Sequence, residues 1–495
     1  MKPDLRSNLL PRLALLLFLL PLLGLAPRPH QVEKSLYQVS EALSAGAVQR
    51  ASGQILESAV HSVWQTELWE LGGHYALQGG DAQTALRYLE WVDQAAPKVT
   101  FATQDRLSTQ GLIDLGDAYQ QAGNLNAALE AWQRATSQAG SSSELLERLV
   151  QAHLALGNYS AATDDLEALV SLKPDDPLLH YRLGLLVAAQ VPEAALEHLE
   201  KAEAGDPSLE ARTETLRRSI LSARASDDPA YALVTTGRAL AAMEEWGLAA
   251  EAFRRATLAR PDYAEAWAYL GEAQQHLDPT SVSQNSDPLK PGNGLEELQK
   301  ALELDPSSLA ANLFLALYWS RQERYDLALD AIRTARTLDP KNPDLQAEYG
   351  RNLAASGDLY GAYDAYQQAI TLAPLDPAYR RQLVDFSLKY SFQIDQVALP
   401  VARQLVIEEA GESANLVLMA QVLTKQGDLA NAERFLNRAL QSDPEYALAH
   451  LQLGLVYILQ GKKAVALQEL NLASTTAADG AVTAQAQRVI ETYFR

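Results

Sequence analysis

Apolar and small side chains recur along most of this 495-residue chain with a period close to 34 residues. Within each period, apolar residues lie three and four positions apart, which is the spacing of one face of an α-helix. The alternation of apolar and polar residues that is typical of strands hardly appears. Two periods show the pattern in full, at Leu112, Leu115, Gly116, Tyr119, Gly123, Ala128, Trp132 and Ala135, and at Leu453, Gly454, Tyr457, Gly461, Ala466, Leu470 and Ala473. We therefore predict an all-α chain in which each period forms two helices.

Glycine inside the first predicted helix of a period is a second regular feature. It costs about 1 kcal/mol of helix stability relative to alanine, so its recurrence requires a packing reason. We expect the second helix to pass so close that a side chain would block it, with a large residue of that helix beside the glycine. The glycines are Gly116, Gly184, Gly271, Gly350 and Gly454, and the large residues are Leu89, Trp132, Leu166, Phe253, Ile332, Tyr366 and Leu436.

A glycine followed by aspartate or asparagine separates the two helices of many periods. We expect the glycine to adopt the left-handed backbone conformation after the first helix, and the next side chain to cap the second helix. The pairs are Gly80-Asp81, Gly123-Asn124, Gly157-Asn158, Gly357-Asp358 and Gly427-Asp428. Prolines such as Pro261 and Pro374 are predicted to end the second helix, because proline cannot continue it.

These positions resemble the tetratricopeptide repeat family, whose pattern W-x2-L-G-x2-Y…A-x3-F…A…P they match residue by residue. The resemblance covers most of the chain. It implies an α–α superhelical solenoid of about eleven helix–turn–helix repeats with a C-terminal capping helix, stabilised by the stacking of neighbouring repeats. The repeats are predicted to start near Thr66, Thr109, Ser143, Pro177, Ala230, Ala264, Leu309, Pro343, Ala378, Ser413 and Ala447.

Breaks in the period divide the chain into segments. The predicted segments are a basic tail at 1–12, an apolar signal segment at 13–26, a helical lead-in or degenerate repeat at 27–65, a first repeat array at 66–209, an inserted helix at 210–229, a second array at 230–480 with a loop insertion near 278–293 and a degenerate unit at 377–412, and a capping helix at 481–495. In the capping helix, Tyr493 and Phe494 are expected to be part of the core.

The N-terminus carries a targeting signal. Three basic residues in the segment 1–12 precede the apolar run at 13–26, as in secretory signals and signal anchors. Pro27 directly after the run disfavours cleavage, so we expect a signal anchor that leaves the basic tail in the cytoplasm. The repeats would then lie on the outer side of a bacterial cytoplasmic membrane. Secretion after signal cleavage is the alternative, because small residues precede Pro27.

Composition narrows the function. The formal net charge of −21 and the isoelectric point near 4.8 disfavour binding to phosphate backbones, so we expect no nucleic-acid partner. The absence of cysteine excludes disulfides, thiolate zinc sites and thiol nucleophiles. The sequence also lacks the metalloprotease, phosphate-loop and nucleophile-elbow motifs. We expect a chain that is not an enzyme, has no cofactor or metal, and contacts the membrane through the N-terminal segment only.

The resemblance implies a concave surface lined by one face of the first helices, at about the second, fifth, ninth and twelfth positions of each repeat. The lysine–asparagine clamp that some family members use for the C-terminal carboxylate of a chaperone is missing. The candidate groove residues are Glu67, Glu70, His74, Asp117, Glu147, Gln151, Arg321, Arg351, Arg381, Lys389 and Lys425. Because the early candidates are mostly acidic and the late ones basic, we predict a groove that runs from acidic to basic.

Taken together, these observations predict a scaffold that binds a peptide or protein partner in its concave groove. The alternative is an accessory or regulatory subunit of an envelope enzyme complex, for example one that assembles or exports a polysaccharide.

Overall fold

A computed structural model describes residues 29–61, 65–95, 107–277, 294–476 and 480–494. In these ranges the chain forms 26 α-helices and no strand, which confirms the predicted all-α class. The predicted signal segment at 13–26 and the loop insertion near 278–293 lie outside the described residues. The chain divides into two compact units, with the boundary between Asp228 and Pro229.

Unit 1 consists of helical pairs followed by one extra helix. The insertion predicted at 210–229 contains that helix, which packs on the preceding one and is flanked by two 3-10 turns, Pro207–Leu209 and Arg224–Ser226. The helices are α1 (Pro29–Ser44), α2 (Val48–His61), α3 (Thr66–Gln78), α4 (Ala82–Glu90), α5 (Thr109–Gln121), α6 (Leu125–Ala139), α7 (Ser143–Ala155), α8 (Tyr159–Leu172), α9 (Pro177–Ala188), α10 (Pro192–Gly205) and α11 (Glu210–Ala223).

Unit 2 consists of seven helical pairs in its described residues and a final helix that packs on the last pair. A π-turn, Ile394–Ala398, precedes the second helix of the degenerate unit. The helices are α12 (Pro229–Ala242), α13 (Trp246–Ala259), α14 (Ala264–Leu277), α15 (Leu295–Leu304), α16 (Leu309–Arg321), α17 (Tyr325–Leu338), α18 (Pro343–Ser356), α19 (Leu359–Leu372), α20 (Pro377–Tyr390), α21 (Leu399–Glu408), α22 (Ser413–Gln426), α23 (Leu429–Ser442), α24 (Ala447–Leu459), α25 (Lys463–Thr476) and α26 (Gly480–Phe494).

The repeat register is confirmed, because each of the eleven predicted starts is the first or second residue of a helix. The predicted lead-in forms one further helical pair, α1 and α2, joined at Gly46 with φ of 71°. One expectation for α26 is wrong. Phe494 packs against the apolar cluster around Leu451, but the side chain of Tyr493 is 52% exposed. Tyr493 lies in the last turn of α26, where no further repeat among the described residues covers its side chain.

The packing reason for the helical glycines is confirmed. A Cβ atom at Gly184 would lie 2.7 Å from a methyl carbon of Leu199, and one at Gly454 would lie 2.7 Å from Leu470 Cγ. At Gly116 the added atom would overlap the indole of Trp132, which is completely buried. The second helix therefore fills the space that each glycine leaves open, and this contact sets the distance between the two helices of a pair.

The turn chemistry is confirmed with one exception. All five predicted glycines have φ between 71° and 99°, in the left-handed region. Four of the five following side chains accept a hydrogen bond from a backbone N–H of the next helix, namely those of Asp81, Asn124, Asp358 and Asp428. Asn158 makes no such bond, so the predicted cap of α8 is wrong there.

A feature that the sequence did not predict connects successive repeats. The side chain at the fourth position of several first helices donates a hydrogen bond to the carbonyl of the proline six residues earlier. The pairs are His180 with Pro174 (2.9 Å), Trp267 with Pro261 (2.8 Å), Asn312 with Pro306 (3.1 Å), Arg380 with Pro374 (3.3 Å) and His450 with Pro444 (3.0 Å). Because a carbonyl oxygen only accepts, the two histidines carry a proton on Nε2.

The first helices of neighbouring pairs also contact each other, as α3 does with α5, α14 with α16, and α20 with α22. Within the described part of the chain, the second helices of neighbouring pairs make no comparable contact. In each unit the first helices are therefore the more closely spaced row, and their faces line the inner surface of the stack.

Candidate partner-binding surface

Cavities open along the first helices in both units. Cavity A, of about 620 Å³, lies between α3 and α5, and cavity B, of about 420 Å³, lies between α5 and α7. Cavity C, of about 640 Å³, lies between α20, α22 and α24. Eight of the eleven candidate groove residues line them: Glu67, Glu70 and His74 line cavity A, Asp117, Glu147 and Gln151 line cavity B, and Lys389 and Lys425 line cavity C.

In cavity A, Glu70 is bound to the start of the next first helix. Its carboxylate accepts hydrogen bonds from the hydroxyl of Ser108 at 2.5 Å and from the Ser108 backbone N–H at 3.2 Å. Ser108 in turn caps α5 through the N–H of Gly111. A Cβ atom at Gly111 would lie 2.6 Å from the Glu70 carboxylate, so a larger residue there would displace the end of the Glu70 side chain. Burial raises the pKa of Glu70, and the Ser108 hydrogen bonds partly offset that shift.

His74, also in cavity A, joins the same two helices. Its Nδ1 lies 2.9 Å from a carboxylate oxygen of Asp114, and its Nε2 lies 2.8 Å from the side-chain nitrogen of Gln78. In this arrangement Nδ1 donates to the carboxylate of Asp114, and Nε2 accepts from the side-chain amide of Gln78. Burial raises the pKa of Asp114, while hydrogen bonds from Gln110 and His74 act in the opposite direction. His74 is therefore held between repeats, with its ring edge at the cavity wall.

In cavity B, two of the three candidates form ion pairs with the next first helix. Asp117 accepts from Arg148 at 2.8 and 3.1 Å and from the indole N–H of Trp132 at 3.1 Å. Glu147 pairs with Arg182 at 2.7 Å. The third candidate, Gln151, is exposed, as is Glu67 in cavity A.

The three candidate arginines of unit 2 are also engaged within the chain. Arg321 forms an ion pair with Glu272 at 2.8 Å, and Arg351 forms one with Glu348. Arg381 forms an ion pair with Glu409 at 2.6 Å and donates a hydrogen bond to the Asn415 side chain at 2.7 Å. Glu272 and Glu348 are buried, and burial raises the pKa of Glu348 despite its charged partner Arg351. Most charges behind the predicted acidic-to-basic groove are thus neutralised inside their own unit.

Cavity C differs, because both candidate lysines lining it are exposed. In the described ranges, no carboxylate oxygen lies within 4 Å of the ammonium of Lys389 or Lys425. Asp385, one turn before Lys389 on α20, also lines the cavity, and desolvation raises its pKa to about 6. Apolar Leu388 and Leu459 also line the cavity.

Sequence reasoning assigned these charges to a partner and missed the internal partners Arg148, Arg182 and Glu272. The sequence does contain a signal for these internal ion pairs, which is the spacing between opposite charges. The carboxylate of Asp117 and its arginine are 31 residues apart, and Glu147 and its arginine are 35 residues apart, which is close to one repeat. Opposite charges at that spacing meet across the stack, whereas the like charges of Lys389 and Lys425, separated by a similar interval, cannot pair with each other.

The stacked helical pairs, with cavities along their first helices, define an α-helical solenoid. A sequence profile of the tetratricopeptide repeat family matches residues 113–177, 147–210, 234–277, 290–343, 320–377 and 417–482, together more than half of the chain. The chain therefore belongs to the tetratricopeptide repeat family.

Individual relatives match shorter stretches. Anaphase-promoting complex subunit 3 of Dictyostelium discoideum is 26% identical over 24% of this chain and 11% of its own length. The peroxisomal targeting signal receptor of Komagataella phaffii is 36% identical over 24% of this chain and 18% of its own length. The chain thus spans less than a fifth of either relative. Among solved structures, yeast Tom70 is 16% identical, covering 86% of this chain and 95% of its own, with a TM-score of 0.41.

Proposed function

We propose that the chain is a protein-interaction scaffold that holds a peptide or protein partner against its first helices. Membership of a repeat family supports this function, as do the two relatives, of which one is a subunit of a complex and the other a targeting signal receptor. The observation that carries the proposal is that cavities open along the first helices of each unit, with Glu67 and Gln151 exposed in those of unit 1 and Lys389 and Lys425 exposed in that of unit 2.

Site-specific photocross-linking tests this proposal. A photoreactive amino acid replaces Gln151 or Lys425 on the first helices, and exposed Gln133 or Arg434 on the second helices as matched controls. We expect one discrete cross-linked product from the first-helix positions in cells and none from the controls. Products of equal yield from all four positions, or products from the controls alone, would contradict binding on the first helices.

The proposed cellular location of the chain is based on its N-terminal segment. We propose that the apolar run at 13–26 tethers the chain to a bacterial cytoplasmic membrane, with the repeats on its outer side. Among the described residues, no helix has the length and apolar character needed to cross a membrane. Cell fractionation and N-terminal sequencing test the tether. A mature chain that starts at or beyond Pro27 and leaves the membrane fraction would identify a secreted protein instead.

The identity of the cross-linked partner separates the scaffold from its alternative. A membrane glycosyltransferase or polymerase recovered from the first-helix positions would make the chain an accessory subunit of an envelope enzyme complex. A non-enzymatic partner would support the general scaffold.

A further inference from the structure

Cavity C combines two cationic side chains with apolar and amide-bearing side chains in its wall. Lys389 on α20 and Lys425 on α22 both line it, and both side chains are exposed. The ammonium of Lys389 lies 5.4 Å from the ring centroid of Tyr390, a weak contact that leaves its hydrogen-bond donors available. As described above, neither lysine has a carboxylate at ion-pair distance among the described residues.

The arginines of the same helix show the contrast. Arg380 pairs with Glu408 at 2.7 Å, and Arg381 pairs with Glu409 at 2.6 Å, so their charges are used to join α20 to the following helices. The lysines have no such role. Asp385 is the only carboxylate that lines the described wall of cavity C, so two cations face one anion there. This local balance is opposite to the net charge of −21 of the whole chain.

The remaining wall of cavity C is suited to an extended peptide. Leu388 is buried, whereas Leu459 is 61% exposed. An exposed leucine beside a cavity gains stability when an apolar side chain covers it. Gln421 and Gln452 also line the cavity, and their side-chain amides can both donate to and accept from a peptide backbone.

We propose that cavity C binds a partner segment in which a side-chain carboxylate, of aspartate or glutamate, lies next to an apolar side chain. The carboxylate pairs with Lys389 and Lys425, and the apolar side chain covers Leu459. This inference rests on the proposed scaffold function and assigns its partner a chemistry. It differs from recognition of a C-terminal carboxylate, because it requires the acidic group on a side chain.

Fluorescence anisotropy with short labelled peptides and the full chain tests the inference. The probe is an amidated peptide of alternating leucine and glutamate, compared with versions that carry glutamine or lysine in place of glutamate. A fourth peptide has glutamine and a free C-terminal carboxylate. We expect the glutamate peptide to bind about fivefold more tightly than the amidated glutamine peptide, because two exposed ion pairs contribute modestly.

Variants assign this preference to the cavity. Lys389→Gln with Lys425→Gln should abolish the fivefold preference, whereas Lys341→Gln with Lys463→Gln, the same charge change on exposed lysines elsewhere in unit 2, should retain it. Asp385→Asn should tighten binding of the glutamate peptide, since it removes the only anion lining the cavity. A damaged fold would not produce that gain.

Three outcomes would overturn the inference: equal binding of the glutamate and glutamine peptides, an equal effect of the two lysine pairs, or preference for the peptide with the free C-terminus. None of these outcomes alters the cross-linking result at Gln151, a substitution that leaves both lysines of cavity C unchanged and therefore tests the scaffold function independently. If photoreactive residues at both Gln151 and Lys425 gave no cross-linked product, the proposed scaffold function would be refuted, and this inference with it.

Discussion

The packing of Trp132 against Gly116 makes a prediction whose sign depends on the structure. Alanine favours a helix over glycine by about 1 kcal/mol, so propensity alone predicts that Gly116→Ala stabilises the chain. The structure predicts the opposite, because the new Cβ would overlap the indole nitrogen and lie 2.5 and 2.7 Å from two of its carbons. Trp132 is completely buried within an apolar cluster, so a shift of its indole would disturb the side chains packed around it.

The magnitude follows from these opposing effects. Overpacking of a core by one carbon costs about 1–3 kcal/mol. A displaced indole also weakens its N–H hydrogen bonds to Ile113 at 3.3 Å and to Asp117 at 3.1 Å, and a buried donor without its partner costs about 1–3 kcal/mol. Adding the two costs and subtracting the gain of about 1 kcal/mol in helix propensity, we expect Gly116→Ala to destabilise unit 1 by about 1–5 kcal/mol.

Two other glycines are internal controls for the Gly116 substitution. An added Cβ at Gly53 in α2 has no atom within 4 Å, so Gly53→Ala should stabilise the chain by about 0.5–1 kcal/mol. At Gly350 the nearest atoms would lie 3.2 to 3.3 Å away, which requires only a small shift, and the expected change is close to zero. The three substitutions are chemically identical, so their order isolates packing from propensity.

Hydrogen–deuterium exchange of the full chain, followed on peptides from α5 and α6, measures the effect locally, because a solenoid opens repeat by repeat. Trp132→Leu should reduce the cost of Gly116→Ala, since the chain already holds an alanine–leucine pair at the equivalent positions Ala420 and Leu436, both completely buried. Increased protection in Gly116→Ala, or a cost unchanged by Trp132→Leu, would refute the packing argument.

Three further predictions follow from single contacts. Arg321→Met leaves the buried carboxylate of Glu272 without its guanidinium and should lower the free energy of unfolding by about 1–3 kcal/mol in chemical denaturation, with Glu272→Gln restoring part of the loss. Asp385 has a folded pKa of about 6, above the value near 3.9 of an unfolded aspartate, so its contribution to stability falls as pH rises through 6. Asp385→Asn should therefore be more stable than wild type at about pH 7.5, with a difference that shrinks toward pH 4.5. Trp267→Phe removes the hydrogen bond to the Pro261 carbonyl and should speed amide exchange in that turn, at a cost of about 0.5–1.5 kcal/mol.

The helical framework could be predicted from sequence because each of its determinants is local or strictly periodic. Gly123 and Asn124 indicate a turn and a cap through their own backbone preferences, and the 16-residue interval from Gly116 to Trp132 recurs from Gly454 to Leu470. Cavity residues were located by the same periodicity, which is why eight of the eleven candidates line cavities A to C.

The partners of those cavity residues could not be predicted in the same way. The Glu70 carboxylate reaches Ser108 across 38 residues, and the approach depends on Gly111, which lies outside the repeat pattern. The bonds to the proline carbonyls use tryptophan, histidine, asparagine and arginine at one position, so no residue type marks them. Such contacts depend on side-chain length and rotamer, and periodicity carries no information about either.

The distinction between paired and unpaired charges determines how the predicted acidic-to-basic groove has to be tested. Arg381→Glu would place a carboxylate beside Glu409 and Asn415 and break the contact between α20 and α22, so its main effect should be on stability. Lys389→Glu with Lys425→Glu changes two exposed side chains in cavity C and should leave stability within about 0.5 kcal/mol.

Partner binding should respond in the reverse order. The lysine reversals should weaken binding of an acidic peptide and reduce its salt dependence, because they remove the cations that the peptide meets. Arg381→Glu should alter binding only under conditions in which amide exchange shows that α20 has opened. Equal loss of binding from both changes, with the fold intact in each, would show that total charge governs recognition and that the two lysines have no special role.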